Sequence, residues 1–209
     1  MKKKKKFSIK TKLPFILASG SQVRKRILKD AGLHFKTITS KLDEDFIKRK
    51  FKDKSYTFIC KKLAQAKAIA VSRKYNNHHV IGADQICVYK KKILHKPINK
   101  NNAIIQLSML AGNEHKQISG CSVCLNGKVI YSFSSTAKLK MRKITKKQIS
   151  NYVDTDNPIN SCGSYKYESK GYLLFSKVIG DQFTIQGMPI FDLFNFLIKR
   201  NIIKYEWFE

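Results

Sequence analysis

The segment at positions 16–28, "ILASGSQVRKRIL", joins an apolar run to a stretch with the composition of a helix. Ser19, Gly20 and Ser21 separate the two parts, and residues of this kind cap helices and bend the chain. The segment therefore predicts a buried strand over 14–19, a tight turn, and a helix over 21–31. The amino end of a helix also offers free N–H groups to an anion. The turn is compatible with a simple helix cap and with a phosphate-binding turn.

Outward from this segment, the pattern predicts an α/β fold with a mixed sheet and flanking helices. Strands and helices alternate in the first half, and an antiparallel hairpin across Asn126-Gly127 follows. "KLDEDF", 41–46, is predicted to be an acidic turn. The predicted strands are 34–40, 79–97 with a turn near Lys90, 116–125, 128–142 and strands around a loop in 162–179; the predicted helices are 55–74, 100–111, 145–153 and 189–199.

Length and composition favour one globular domain over residues 13–209, after a basic flexible tail at 1–12. The chain has 209 residues, 43% of them hydrophobic, which is enough for a core. No apolar run approaches the roughly 18 residues of a membrane span. The basic start lacks the apolar segment of a signal peptide, so we expect a cytoplasmic protein without a membrane partner.

The formal net charge of +28 raises the question of a nucleic-acid partner. Only six of the 42 basic residues are Arg, the preferred residue for base edges and bidentate phosphate contacts. Lysines scattered along the whole length favour compositional bias over a specific nucleic-acid site. Weak, salt-sensitive association with polyanions is expected in either case.

The five cysteines include one C-x-x-C pair, Cys121 and Cys124. The pair lies in a strand-like stretch, where residues i and i+3 point to opposite faces. No second pair exists to complete a zinc site. The pattern therefore argues against zinc or redox chemistry.

Two acidic positions break the local pattern. Asp84 follows the apolar run "VIGA", and a carboxylate there needs a partner or a task, unless it only caps a turn. Glu44 lies among three consecutive acids in a chain with only 14. These acids fit a solvated turn or helix start, or a magnesium ligand or water activator.

Basic side chains complete the candidate site. Lys67 lies near the edge of an apolar helix face, where it is either a lysine that extends to solvent or a phosphate contact. Lys96 stands beside a proline, and Arg24 follows the Gly/Ser turn. Cations and carboxylates together are typical of phosphoryl-transfer sites. The turn does not match G-x-x-x-x-G-K-[ST], so it is not a standard P-loop.

Short motifs over about residues 13–199 resemble the Maf family of nucleoside triphosphate pyrophosphatases. Each is weak alone, but their order and spacing are specific. They stand here as "LASGSQVRK", "LDED", "LAQAKA", "GADQ", "HKP", "SCGSYKYES" and "GMPI".

The resemblance implies a Maf-like, ITPase-like α/β fold with two lobes around a cleft. It implies cleavage between the α and β phosphates of a nucleoside triphosphate with a divalent cation, Mg²⁺ or Mn²⁺, and a role in removing non-standard nucleotides. Asp84 would be the general base, and Glu44 would hold metal or water, with both as metal ligands. The triphosphate would contact Ser19, Ser21, Arg24, Lys67 and Lys96.

The preferred nucleobase is predicted from single residues that differ between branches of the family. One branch of the family prefers dTTP and UTP, and another prefers 7-methyl-GTP. Gln85 and Glu168 match the second branch, and a carboxylate can accept from guanine N–H groups. Val23 replaces that branch's tryptophan and removes a stacking surface. We expect a guanine-type modified purine, with the dTTP/UTP preference as the alternative.

Other departures concern the phosphate turn. Gln22 replaces the usual proline, and Lys25 replaces the second arginine, which keeps the charge but loses the fork. We expect weaker phosphate binding without loss of activity.

Two rival functions remain. One is a basic nucleic-acid-binding module, which has no need of Asp84 and Glu44. The other is an inactive family member acting in division control, against which stands the presence of every expected acid and lysine. The oligomeric state stays open, with a homodimer among the alternatives.

Overall fold

A seven-stranded mixed sheet organises the computed structural model, which describes residues 9–205. The strand order is β3-β2-β4-β6-β7-β8, with β5 paired to β4 outside this path. A separate antiparallel pair is formed by β1 and β9. The strands are β1 (Ile9–Thr11), β2 (Phe15–Leu17), β3 (Phe35–Thr37), β4 (His79–Tyr89), β5 (Lys92–Leu94), β6 (Glu114–Leu125), β7 (Lys128–Met141), β8 (Phe175–Ile179) and β9 (Ile203–Tyr205).

Within residues 9–205, seven α-helices flank the sheets, and the predicted α/β class with a mixed sheet is confirmed. Most helices begin where the sequence places a capping side chain, and Thr145 with Gln148 forms a full capping box. The helices are α1 (Gln22–Asp30), α2 (Glu44–Lys50), α3 (Tyr56–Ser72), α4 (Lys100–Leu110), α5 (Lys146–Asp156), α6 (Gln182–Ile185) and α7 (Ile190–Lys199), with a 3₁₀ helix at Gly171–Leu174.

From Glu44 onward, α2 replaces the acidic turn predicted at 41–46, and this is the helix start that the same acids also allowed. The side chain of Asp43 accepts the backbone N–H of Phe46 at 2.8 Å and caps the helix. Acids in the first turn interact favourably with the positive end of the helix dipole. What the composition suggested to be a turn is therefore a helix start.

Two further expectations are corrected. Only one strand, Phe175–Ile179, lies in the stretch 162–179, after the 3₁₀ helix. The flexible tail does not extend to residue 12, because Ile9–Thr11 pairs with Ile203–Tyr205 and the Ile9 side chain packs into the main hydrophobic cluster. Residues 1–8 of the predicted tail lie outside the described residues.

The sheet has an opening along one side of β4. On that side β4 pairs parallel with β2 as far as Ile81, and antiparallel with β5 from Cys87 onward. The intervening residues 82–86 pair with β6 on their other side only. The opening lies beyond the carboxyl end of β2, which is where α/β sheets bind ligands.

Helix α3 packs directly on β4 and β6 at two glycines. A Cβ at Gly82 would lie 2.3 Å from the carbonyl oxygen of Ala64, and one at Gly120 would lie 2.5 Å from that of Cys60. These distances are too short for any side chain. The absence of side chains at both glycines therefore lets α3 lie close to the opening.

Cys60, Cys87, Cys121 and Cys124 are buried, and Cys162 is partly buried. Cys121 is buried in the main cluster and Cys124 in another, as expected for side chains on different faces. Within residues 9–205, no helix combines the length and apolarity that crossing a membrane requires.

Candidate active site at the sheet opening

One lysine holds two carboxylates at the opening of the sheet. The Lys67 Nζ donates to Asp84 Oδ1 at 2.5 Å and lies 2.8 Å from Glu44 Oε1. Asp84 is 5% exposed and Lys67 is 8% exposed. The structure thus brings together three residues that the sequence analysis singled out separately.

Three elements place these side chains. Asp84 lies in the stretch of β4 that has a strand partner on one side only, and Glu44 is the first residue of α2. Lys67 lies in the part of α3 that packs on Gly82. Helical side chains tilt toward the amino end of their helix, and this direction carries the ammonium of Lys67 toward Asp84.

The electrostatics favour the charged form of Glu44. Burial acts to raise the pKa of Glu44, but the charge and hydrogen bond of Lys67, with smaller effects from Lys48 and Arg24, outweigh it and lower that pKa. Asp84 Oδ2 has no hydrogen-bond partner within residues 9–205, although it is not closed off from solvent. Asp84 therefore presents a free acceptor to the opening.

The opening also contains Arg24, which is held at the Gly/Ser turn. Its Nη1 donates to Ser19 Oγ at 3.1 Å, and its Nε donates to the carbonyl oxygen of Gly187 at 2.8 Å. Ser21 caps α1 by accepting the backbone N–H of Arg24 at 3.4 Å. The turn therefore acts as a helix cap and also positions a guanidinium.

Lys96 is exposed and forms no ion pair within residues 9–205. Its charge acts on the thiol of Cys162, whose pKa is raised mainly by burial and further by Asp84. Lys96, Arg24 and Lys48 act on that thiol in the opposite direction. These charges therefore surround a common region of the molecule.

Lys48 is a candidate residue that the sequence analysis missed. It follows Glu44 by one helical turn in α2, so both side chains share a helix face. It pairs with Asp45 at 3.1 Å. Its spacing from Glu44 would have identified it only if α2 had been recognised as a helix.

The three specificity candidates are not brought together. Gln85 lies beside Gly187, and its Nε2 donates to the carbonyl oxygen of Ile185. Val23 packs against the main hydrophobic cluster. Glu168 is half-buried and acts electrostatically on Tyr152, and no described contact joins it to Gln85.

The donor set fits a hard divalent cation that shares its ligands with a substrate. Within the described residues, no cluster of three or more His, Cys, Asp or Glu side chains could enclose a metal. Mg²⁺ is commonly held by one or two carboxylates together with substrate phosphates. Glu44 and Asp84, which contact the same ammonium nitrogen, supply such a pair of oxygen ligands.

Comparison with known proteins identifies the family of the chain. The family model described as Maf-like protein matches residues 14–200. A nucleoside triphosphate pyrophosphatase of Bradyrhizobium diazoefficiens is 39% identical over 194 residues, which cover 92% of this chain and 96% of the relative. One from Legionella pneumophila (strain Corby) is 35% identical over 190 residues, covering 91% and 95%. The chain that places Arg24, Glu44, Lys67 and Asp84 around this opening belongs to the Maf family.

Proposed function

We propose that this protein is a nucleoside triphosphate pyrophosphatase, which cleaves the bond between the α and β phosphates to give a nucleoside monophosphate and pyrophosphate. The observation that carries the proposal is the Lys67 ammonium between Glu44 and Asp84, beside Arg24. The relatives named nucleoside triphosphate pyrophosphatase support the same activity. The proposed role is to remove modified nucleotides from the cytoplasmic pool.

Asp84 is the proposed general base. A carboxylate within hydrogen-bond reach of a water can take its proton as the oxygen attacks phosphorus. The Lys67 contact occupies Oδ1 and leaves Oδ2 to accept that proton. Cys60 fixes the backbone beneath, because its thiol donates to the Asp84 carbonyl oxygen at 3.3 Å.

The cations have the complementary task of offsetting the negative charge of the triphosphate. Phosphate oxygens repel an attacking water, and cations aligned before the reaction reduce that repulsion. Arg24 offers a guanidinium fixed by Ser19 and Gly187, whereas Lys96 and Lys48 offer point charges.

A divalent cation, Mg²⁺ or Mn²⁺, would be held by Glu44 and Asp84 together with substrate phosphates. When bound, it would supply Lewis-acid stabilisation of the charge on the phosphates and the leaving pyrophosphate. In its absence the same two carboxylates are neutralised by Lys67. Lys67 therefore contacts both of the carboxylates that would hold the metal.

For the base, we propose a guanine-type modified purine such as 7-methyl-GTP. The Nε2 of Gln85 donates to the carbonyl oxygen of Ile185, which leaves its Oε1 to accept an N–H of the base. Glu168 would be a second acceptor for the exocyclic amine of guanine.

A pyrimidine triphosphate is the second candidate, and one observation favours it. No described contact brings Glu168 to Gln85, and a single acceptor is enough for the one ring N–H of thymine or uracil. The same active-site chemistry would apply.

The test is pyrophosphate release from 7-methyl-GTP, GTP, dTTP, UTP and CTP with Mg²⁺ or Mn²⁺. We expect Asp84→Asn to reduce turnover by about 10²–10⁴-fold. Asp154→Asn is the matched control, because Asp154 is an exposed acid paired with Lys100 at 2.7 Å on another helix. Release by the Asp84 variant at the rate of the control would refute the general base.

The nucleotide panel tests the base separately. Faster turnover of 7-methyl-GTP supports the purine proposal, and faster turnover of dTTP and UTP supports the pyrimidine alternative. If no nucleotide releases pyrophosphate, the enzyme proposal is wrong.

A further inference from the structure

A second concave surface lies at the far end of α3. It is a cavity of about 480 Å³ on the sheet face just beyond the first turn of the helix. Val88 and Ile118 form its buried floor. Val88 is four residues beyond Asp84, about 13 Å along an extended strand. No lining residue belongs to the candidate active site.

Four lysines surround this cavity. Lys116 and Lys138 are direct cross-strand partners on β6 and β7, and Lys90 with Lys91 forms the turn after β4. None of the four forms an ion pair within residues 9–205. Among the described residues, Glu114 is the one acid in the lining, and it stands opposite Lys140. The lining therefore carries a strong excess of positive charge.

The Lys116–Lys138 pair is unfavourable without an anion. Like charges directly opposite each other on one sheet face are destabilising. Both lysines are exposed, so water and salt screen part of this repulsion. An anion between them would convert this repulsion into attraction.

Polar groups complete the surface. Ser55, Thr57 and Thr136 line the cavity, and the hydroxyls of Ser55 and Thr57 are hydrogen-bonded to each other at 3.0 Å. The Tyr56 hydroxyl donates to the carbonyl oxygen of Lys91 at 2.6 Å and ties the lysine turn to the helix. Lysines bind phosphate as point charges, and hydroxyl groups add hydrogen bonds to its oxygens.

We propose that this cavity is a second binding site, separate from the active site, for a small anion with two or more phosphate groups. Its volume lies within the range of ordinary ligand pockets, about 300–1,000 Å³. The same chemistry would bind free pyrophosphate and the phosphate chain of a nucleotide. The proposal does not rest on the proposed catalytic activity.

Equilibrium dialysis of the full chain against labelled pyrophosphate tests the site at about 50 mM salt, where charge-driven binding is strong. We expect Lys116→Gln/Lys138→Gln to weaken one class of binding by at least about tenfold. The matched control, Lys128→Gln/Lys147→Gln, removes the same charge from exposed lysines outside the cavity. If the two double variants weaken pyrophosphate binding equally, the effect comes from the net charge of the protein, and the proposal is wrong.

Two further experiments distinguish pyrophosphate from a nucleotide as the ligand, and the cavity from the active site. Competition by a non-hydrolysable nucleoside triphosphate would assign the natural ligand to nucleotides, and its failure would assign it to pyrophosphate. Arg24→Gln should leave the cavity's binding unchanged, because Arg24 lies at the sheet opening. If only a single-stranded oligonucleotide responds to the Lys116/Lys138 pair, the small-anion proposal is wrong.

Thermal unfolding gives an independent readout. Without the anion, Lys116→Gln/Lys138→Gln should raise the Tm, since it removes the cross-strand repulsion. Pyrophosphate should raise the Tm of the unsubstituted protein by mass action and raise that of the double variant less. A double variant that is destabilised without the anion and is still stabilised fully by it contradicts the proposal.

Discussion

Lys67 shows how one side chain can serve two acids. The sequence placed it at the edge of an apolar helix face, where a lysine that extends to solvent was an equally good interpretation. Its partners are 23 residues upstream and 17 residues downstream in the chain, and only the fold brings them together. The chemistry of each residue could be predicted individually, whereas their shared contact could not.

Replacing Lys67 tests this contact. In Lys67→Met, Glu44 and Asp84 lose their common cation, and the pKa of Glu44 should rise. Side-chain carboxyl NMR measures that shift, and Lys61→Met on the same helix is the control. An unchanged Glu44 titration would show that the ion pair does not form in solution.

The lowered pKa of Glu44 also sets the sign of a stability effect. A depressed folded-state pKa contributes stability above the unfolded value, about 4.3, and loses it as the pH falls through the folded value. Glu44→Gln should therefore be less stable than the unsubstituted protein near pH 7, by at most about 1 kcal/mol since the side chain is partly exposed. Urea unfolding from pH 7 to pH 3 should show the difference disappearing. A difference that grows on acidification would reverse the assignment.

Among the elements, α3 depends on glycines for its position. "VIGA" predicted a buried strand, but nothing local indicated that a helix backbone would lie against Gly82. The pattern of apolar residues in one element predicts which of its faces is buried. It does not predict how closely two elements pack, because that distance depends on the side chains of both.

Gly120→Ala should separate α3 from β6. Its Cβ would lie 2.5 Å from the Cys60 carbonyl oxygen, directly beneath the Asp84 backbone. Overpacking of this kind costs about 1–3 kcal/mol. The control for stability is Gly20→Ala, whose Cβ would meet its nearest neighbour, Thr39 Oγ1, at an ordinary 3.4 Å. Urea unfolding compares the two, and equal stabilities would show that α3 can shift without cost.

The N-terminal cap of α5 lies outside the candidate active site, so its loss should affect stability alone. Thr145→Ala removes a capping box and should lower the free energy of unfolding by about 0.5–2 kcal/mol. α5 packs on α4 and holds no candidate site residue, so pyrophosphate release should not change. A variant that keeps its stability but loses turnover would place α5 in the reaction.

Helix α2 explains why one prediction failed. It has seven residues and no buried side chain, so it lacks the apolar period that identifies longer helices. Its signals were the Asp43 cap and the acids after it, which also suit a turn. Missing α2 meant missing Lys48.

The whole molecule carries a net charge of +28, which opposes compactness through self-repulsion. Raising sodium chloride from about 10 mM to about 150 mM shortens the screening length to about 8 Å. We expect the Tm to rise over this range, as measured by calorimetry. A Tm that falls with salt would indicate that attractive ion pairs outweigh the repulsion.

At this scale the sequence indicated the class of fold but not its long contacts. Strand alternation and the Asn126-Gly127 hairpin predicted a mixed sheet, and the order of its strands follows from pairings between distant segments. The bond from Arg24 to Gly187 spans 163 positions and has no local signal. The same holds for the pairing of Ile9–Thr11 with Ile203–Tyr205.

Residues 82–86 of β4 have a strand partner on one side only, which has a consequence for solubility. A strand edge without a partner is a template on which a second chain can add a strand, and natural proteins protect such edges by covering them or with charge. In this protein the charges near residues 82–86 are those of the buried Lys67 and of Arg24. A strand from another copy would have to approach across the repulsion between two highly cationic molecules. The charges that suit a triphosphate thus also protect this edge from self-association.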